Sequence, residues 1–271
     1  MRRLVSAGLV VVALGVVASS AAAAGGSGTG VIAYTTKGSV MYDSTPSGGL
    51  PGNLPSVGPE AYAFSSLGNK IQFAAGPRRL RNVVVTLSSW ACMQGHWTKG
   101  NCYTPPGATF SQPITLTIWN ADHSTKLASS TQTFNVPYRP SASPMCVDEQ
   151  GHPTGKWYQA ATKQCFNGLA TDVTFTNFTG NVNLPDTVVY EISYNTSHYG
   201  PHPIGEGAPC SGTAAGCPYD SLNIGLSTGP SVGSDIDQTT VWTDGSVHSL
   251  YDTQYTTPAV QFNAAGLWKV T

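Results

Sequence analysis

Val83-Val84-Val85-Thr86-Leu87-Ser88 and Ile114-Thr115-Leu116-Thr117-Ile118-Trp119 decide the fold of this chain. In each, the side chains divide into two sets at a period of two, the period of a β-strand. Working outward, Val173 and Phe175 alternate with Thr174 and Thr176. Val188, Tyr190, Ile192 and Tyr194 alternate with Val189, Glu191, Ser193 and Asn195, and Leu222, Ile224 and Leu226 with Asn223, Gly225 and Ser227. Glu191 has polar neighbours and is expected on a solvated face. Further strands are expected at 31–35, 39–43, 61–65, 70–75, 127–136 and 258–263. Long helical periodicity is absent from residue 25 onward. About eleven strands without intervening helices predict an all-β, antiparallel sandwich of the jelly-roll kind, with long disulfide-stapled loops.

The Pro- and Gly-rich stretch from Thr45 to Pro59 cannot lie inside a sheet and reads as a long loop or an extended arm over the surface. The expected organisation is a signal peptide at 1–24, N-terminal strands and arm at 25–60, and the sandwich at 61–271. Residues 30–60 are expected in the same domain, because 31–43 offers too few strands for a core of its own.

Arg2 and Arg3 precede an apolar run, Leu4 to Val17, and then a small-residue tail ending Ala22-Ala23-Ala24. Basic start, short apolar run and A-x-A site form the pattern of a secretory signal peptide. The run falls short of the ~20 residues that span a bilayer. The expectation is a secreted protein starting near Gly25, with no membrane attachment after cleavage.

Charged residues make up only 10 % of the chain, well under the roughly 25 % usual for soluble domains. Without Arg2 and Arg3, Lys+Arg falls from 13 to 11 against 14 acidic residues, a formal charge of −3. Nucleic-acid binding demands clustered basic residues, so no nucleic-acid partner is expected. The one basic cluster, Arg78-Arg79-Arg81, reads as a strand start facing solvent. Ser, Thr, Asn, Gly and Pro take the place of charge and predict a neutral, hydroxyl-rich surface.

Six cysteines in an exported chain predict three disulfides. Of the fifteen possible pairings, the sequence-local one is the simplest: Cys92 with Cys102, Cys146 with Cys165, Cys210 with Cys217. A metal site from His198, His202, Cys210 and Cys217 is the alternative for the last pair. Gly200 and Pro201 forbid the helix that would align the two histidines, so no metal is expected.

If consecutive strands run antiparallel, strand parity sends all three cysteine-bearing loops to one end of the sandwich. Long loops on a rigid scaffold commonly carry binding. The candidate binding residues there are His96, Trp97, Trp157, Tyr158 and Tyr199, since exposed aromatic rings stack on sugars or pack on proteins. Trp90 and Trp119 lie on strands and read as packing residues.

Catalytic and cofactor patterns are weak. Gly225-Leu226-Ser227-Thr228-Gly229 matches the nucleophile-elbow spacing, but Pro230 and Gly233 follow where a helix is required. Gly28-x-Gly30-x-x-Ala33 has no preceding strand, so no dinucleotide cofactor is implied. Asp235-x-Asp237 with Asp244-Gly245 reads as a solvated acidic loop rather than a calcium site.

Four segments taken together resemble a group of exported bacterial β-rich proteins with no assigned activity. They are Tyr42-Asp43-Ser44-Thr45-Pro46 with Leu50-Pro51-Gly52-Asn53-Leu54-Pro55-Ser56, then Ser88-Ser89-Trp90-Ala91-Cys92, Pro137-Tyr138-Arg139-Pro140-Ser141 and Pro218-Tyr219-Asp220-Ser221-Leu222-Asn223. The similarity spans roughly residues 40–263. It implies a secreted or surface role and brings no catalytic residue. The expected function is non-catalytic binding of an extracellular or cell-wall glycan through the disulfide-braced loop end. A polysaccharide hydrolase and a structural surface or adhesion protein are the alternatives.

Overall fold

The computed structural model describes residues 34–35, 39–62, 64–95, 97–194, 222–249, 253–265 and 268–269. Strands dominate it: β1 (Tyr34–Thr35), β2 (Val40–Asp43), β3 (Ser56–Val57), β4 (Ser66–Gln72), β5 (Leu80–Ser89) and β6 (Thr109–Asn120) come first. β7 (Lys126–Pro137), β8 (Trp157–Gln159), β9 (Gln164–Phe166), β10 (Leu169–Phe175), β11 (Thr179–Gly180) and β12 (Thr187–Tyr194) follow. The last are β13 (Leu222–Ser227), β14 (Ser234–Asp235), β15 (Thr240–Thr243), β16 (Ser246–Ser249), β17 (Thr257–Pro258), β18 (Val260–Ala264) and β19 (Trp268–Lys269). The class is all-β and antiparallel, as expected, with more strands than eleven.

Two large sheets carry the fold. In the seven-stranded sheet, β10 lies along one edge of β5. The other edge of β5 takes β13 at its end, Leu222 opposite Ser89, and β18 along the rest, Val260 opposite Val85. β2 pairs with β18, and β3 with β13, so the residues on either side of the arm belong to this sheet. The eight-stranded sheet runs β11-β7-β6-β12-β4-β15-β16, with β14 also on β4.

The core is where the two alternating patterns meet. Val83, Val85, Leu87, Val173, Phe175 and Phe262 come from the first sheet. Leu116, Ile118, Val188, Tyr190 and Ile192 come from the second. Tyr190 meets Phe262 edge-on across the layers, ring centres 5.4 Å apart. Each such side chain contributes about 1.5–3 kcal/mol by leaving water. The space between the sheets also holds two buried hydroxyls, Tyr42 of the first sheet and Tyr190 of the second, whose ionisation burial pushes well above the usual range.

One expected strand is not formed. The described residues of 61–65 make no strand, because Pro59–Tyr62 is a helical turn, α1, with Tyr62 N–H donating to Gly58 C=O at 3.3 Å. Pro suits the first helical position, where no N–H is needed. The strand begins at Ser66 instead and turns Leu67, Asn69 and Ile71 inward. Inward-facing Asn69 masks its alternation.

Candidate functional site

Strand directions fix the ends of the sandwich. Ser89 pairs with Leu169 and with Leu222, Pro137 pairs with Thr109, and Tyr194 pairs with Ile114. The loops after β5 and β7 therefore share one end, and β12 and β13 have their loop-side termini there too. The disulfides Cys92–Cys102 and Cys146–Cys165 are both formed. Cys210, Cys217, Tyr199 and His96 lie outside the described residues.

The two braced loops are locked together. Arg139 N–H donates to Ala91 C=O at 2.9 Å and Ala142 N–H to Cys102 C=O at 2.9 Å. Ser141 Oγ accepts from Thr104 N–H at 2.9 Å and donates back to Thr104 C=O at 3.1 Å. Arg139 is wholly buried, and its Nη2 donates to Gly155 C=O at 2.6 Å. Burial without a carboxylate partner among the described residues lowers its pKa to about 10. Gly155 has φ 72°, and a Cβ on it would lie 2.6 Å from Gly100 Cα, so the two loops touch backbone to backbone.

The aromatic residues expected to bind at this end divide. Trp157 is corrected: it is 5 % exposed, its indole N–H donates to Gly168 C=O at 2.7 Å, and its ring packs on Phe166 at 5.3 Å. It braces the β8–β9 hairpin and has no open ring face. Trp97 and Tyr158 remain partly exposed, Trp97 set edge-on against Trp90 at 4.7 Å. Tyr103, not anticipated, is 55 % exposed on the first braced loop.

A concavity lies elsewhere, on the outer face of the first sheet. The arm crosses that face and is pinned at both ends. Ser44 Oγ donates to Pro258 C=O at 2.7 Å and accepts from Val260 N–H at 3.0 Å. At the far end Asn53 Oδ1 accepts from Ser88 Oγ at 2.7 Å, and Pro55 C=O from Leu226 N–H at 2.7 Å. Gly52 C=O accepts from Ala170 N–H at 3.2 Å. Gly52 packs so close to the Phe166 ring that a Cβ would meet it at 2.3 Å. The arm thus rests on the hairpin that Cys146–Cys165 staples.

Between this arm and the segment leaving β13 opens a groove of about 480 Å³. The arm supplies Thr45, Ser47 and Asn53, and the opposite wall Ser227, Thr228 and Ser231, with the half-buried ring of Tyr255 beside them. Pro46, Pro51, Pro55 and Pro230 stiffen the walls, and none of the lining residues is charged. Ser227 Oγ points at Thr257 C=O, 3.4 Å away, and no helix follows it, so the elbow pattern carries no nucleophile. No short stretch of sequence announces this groove, because its walls are about 180 residues apart in the chain.

A third cluster occupies the outer face of the second sheet. Glu191 is 6 % exposed there, which corrects the expectation of a solvated face. The β15–β16 hairpin and the β6–β7 turn cover it. Its Oε1 accepts from Ser66 Oγ and from Gly245 N–H, both at 2.9 Å, and its Oε2 lies 2.9 Å from His123 Nε2. The His123 ring is held between Trp119 at 4.3 Å and Trp242 at 4.7 Å. Both carboxylate oxygens are spent on holding the covering segments.

The acidic positions weighed for calcium are likewise committed. Asp237 accepts from Thr239 at its own turn, and Asp244 from Ser65 and Ser66. Asp235 Oδ2 accepts from Asn69 Nδ2 at 2.8 Å and Thr257 Oγ1 at 2.6 Å. No group of three metal-ligating side chains gathers among the described residues. Arg78 pairs with Asp186 at 2.9 Å.

No protein-family model matches this chain, and neither a curated protein nor a solved structure does.

Proposed function

We propose that this chain is an exported, non-catalytic β-sandwich that binds neutral extracellular or cell-wall carbohydrate in the groove between the arm and the end of β13. The observation that carries this reading is the lining: concave, uncharged and rich in hydroxyls and amide groups, with one tyrosine ring. Its volume of about 480 Å³ falls within the roughly 300–1,000 Å³ range of small-ligand sites. Sugar hydroxyls need donors and acceptors in fixed positions: Ser47, Thr228 and the Asn53 amide N–H offer donors, while Thr45, Ser227 and Ser231, whose hydroxyls donate to Asp43 and Thr257, offer acceptor oxygens. Tyr255 offers a ring face for the apolar side of a sugar.

The braced loop end serves this reading as a support. Cys146–Cys165 holds the hairpin on which Gly52 rests, so the arm is ordered before a ligand arrives. Ordering in advance removes a cost that otherwise erodes affinity. Trp97, Tyr158 and Tyr103 stand at the loop end as a further contact surface for a long chain. Export is supported by the Arg2–Ala24 pattern and by two formed disulfides. The resemblance to exported bacterial proteins points the same way. The hydrolase reading is weaker, because that chemistry needs two carboxyl groups flanking the bond and the groove lining contains none.

A glycan array probed with the chain from Gly25 onward tests this directly. The expected result is binding to at least one class of neutral glycan, weakened about 2- to 10-fold by Tyr255→Ala. Absence of binding to every glycan, with the protein folded, overturns the reading.

A further inference from the structure

A second concavity of about 210 Å³ lies on the other side of the arm, and Thr45 and Pro46 belong to the walls of both. Its floor is the outer face of the first sheet. Thr86 on β5 stands opposite Asp172 on β10, and Val84 opposite Gln261 on β18. Three adjacent strands thus present Asp172, Thr86 and Gln261 on one face, roofed by Gly49 and Leu50 of the arm.

Of these polar groups, most are committed. Gln261 Nε2 donates to Asp43 Oδ2 at 2.7 Å, and its Oε1 accepts from Asn263 Nδ2 at 3.1 Å. Buried Thr86 donates its hydroxyl to Asp172 Oδ1 at 2.7 Å, which anchors that oxygen. Asp172 is exposed, and no described residue donates to its Oδ2. No lysine or arginine lines the concavity. An acceptor with negative charge therefore faces the ligand side of an otherwise neutral track.

We propose that this concavity is a subsite for an amino sugar, with Asp172 accepting a hydrogen bond from the ammonium group of a 2-amino-2-deoxyhexose unit in a glycan that continues from the larger groove. The inference rests on the carbohydrate reading above and adds its charge selection. An ammonium donor completes Asp172 Oδ2 with a charge-assisted bond, whereas a uronate at this position meets like charge. Gly49 and Leu50 of the roof are both exposed.

The test compares oligomers of glucose and of glucosamine with the same linkage and length, at a pH where the amine is protonated. The two differ only in hydroxyl against ammonium at C2 of each unit. Expected is about two- to five-fold tighter binding of the glucosamine oligomer at low salt. That advantage shrinks at high salt. Asp172→Asn keeps the acceptor for Thr86 and is expected to abolish the advantage, bringing the two oligomers to equal affinity. Equal affinity for the two oligomers, or a preference that survives in Asp172→Asn, overturns the subsite and leaves the groove standing. Failure of any glycan to bind overturns both readings together.

Discussion

His123 Nε2 lies 2.9 Å from Glu191 Oε2, and the imidazole is stacked between Trp119 and Trp242. The pair fastens the β6–β7 turn and the β15–β16 hairpin to the outer face of the second sheet. Glu191→Ala leaves Ser66, Gly245 and His123 without the buried acceptor that fastens them. The expected loss is about 1–3 kcal/mol in urea unfolding. Glycan binding is expected to stay unchanged, because the groove lies on the other sheet. A catalytic Glu191 would show the reverse, with stability kept and function lost.

Gly155 tests the contact between the two braced loops. Its positive φ costs a residue with a Cβ about 1–2 kcal/mol, and the approach to Gly100 adds a clash with backbone that cannot rotate away. Gly155→Ala is expected to lower stability by about 2 kcal/mol or more. Gly151→Ala in the same loop has open space around it and is expected to cost less, since only the positive φ opposes it. Equal losses in thermal unfolding would contradict a tight loop–loop contact.

Acid sensitivity has two opposed contributors. Burial pushes the Asp244 carboxyl up, but hydrogen bonds from Ser65 and Ser66 outweigh it and hold the group below the usual range. A carboxyl depressed in the folded state adds stability above its unfolded pKa, about 3.9, and loses it as pH falls through the folded value. Asp235 is the converse: burial raises it, ahead of the lowering bonds from Thr257 and Asn69. Its contribution is present below the unfolded pKa and lost as pH rises through the folded one. Measured against the parent chain, Asp244→Ala is therefore expected to cost stability at neutral pH, with the difference closing at acid pH below about 4.

Cys146 and Cys165 line no part of the groove, yet they support it through the hairpin beneath Gly52. The bridge closes a sequence separation of 19 residues. Replacing both cysteines by Ser is expected to cost about 2–4 kcal/mol in stability. It is also expected to weaken glycan binding several-fold at a temperature where the protein is still folded, because the arm must then be ordered by the ligand. Unchanged affinity would sever the braced end from the site.

The alternation at Val83–Ser88, Ile114–Trp119 and Val188–Tyr194 is enough to read the sheets, because hydrophobic burial on one face imposes that period. Strand parity likewise places the Cys92–Cys102 and Cys146–Cys165 loops together. The β15–β16 hairpin escapes such a reading because its strands are short and β16 is wholly exposed. Its signal is nonetheless present: Asp244-Gly245, with φ 50° and 75°, is the two-residue turn that hairpins favour. Trp157 looks like an exposed loop ring, and only its pairing with Phe166 across a hairpin shows why it is buried. The groove is illegible for a different reason. It exists only where the arm's hydrogen bonds to Ser88, Leu226 and Ala170 bring distant segments side by side.

Amide chemical shifts recorded while a neutral oligosaccharide is titrated in test the central claim most directly. The account predicts shifts concentrated in Thr45–Asn53, Leu226–Ser231 and around Tyr255, with the outer face of the second sheet silent. Shifts confined to the braced loops around Trp97, Tyr103 and Tyr158, or none in the arm, would contradict it.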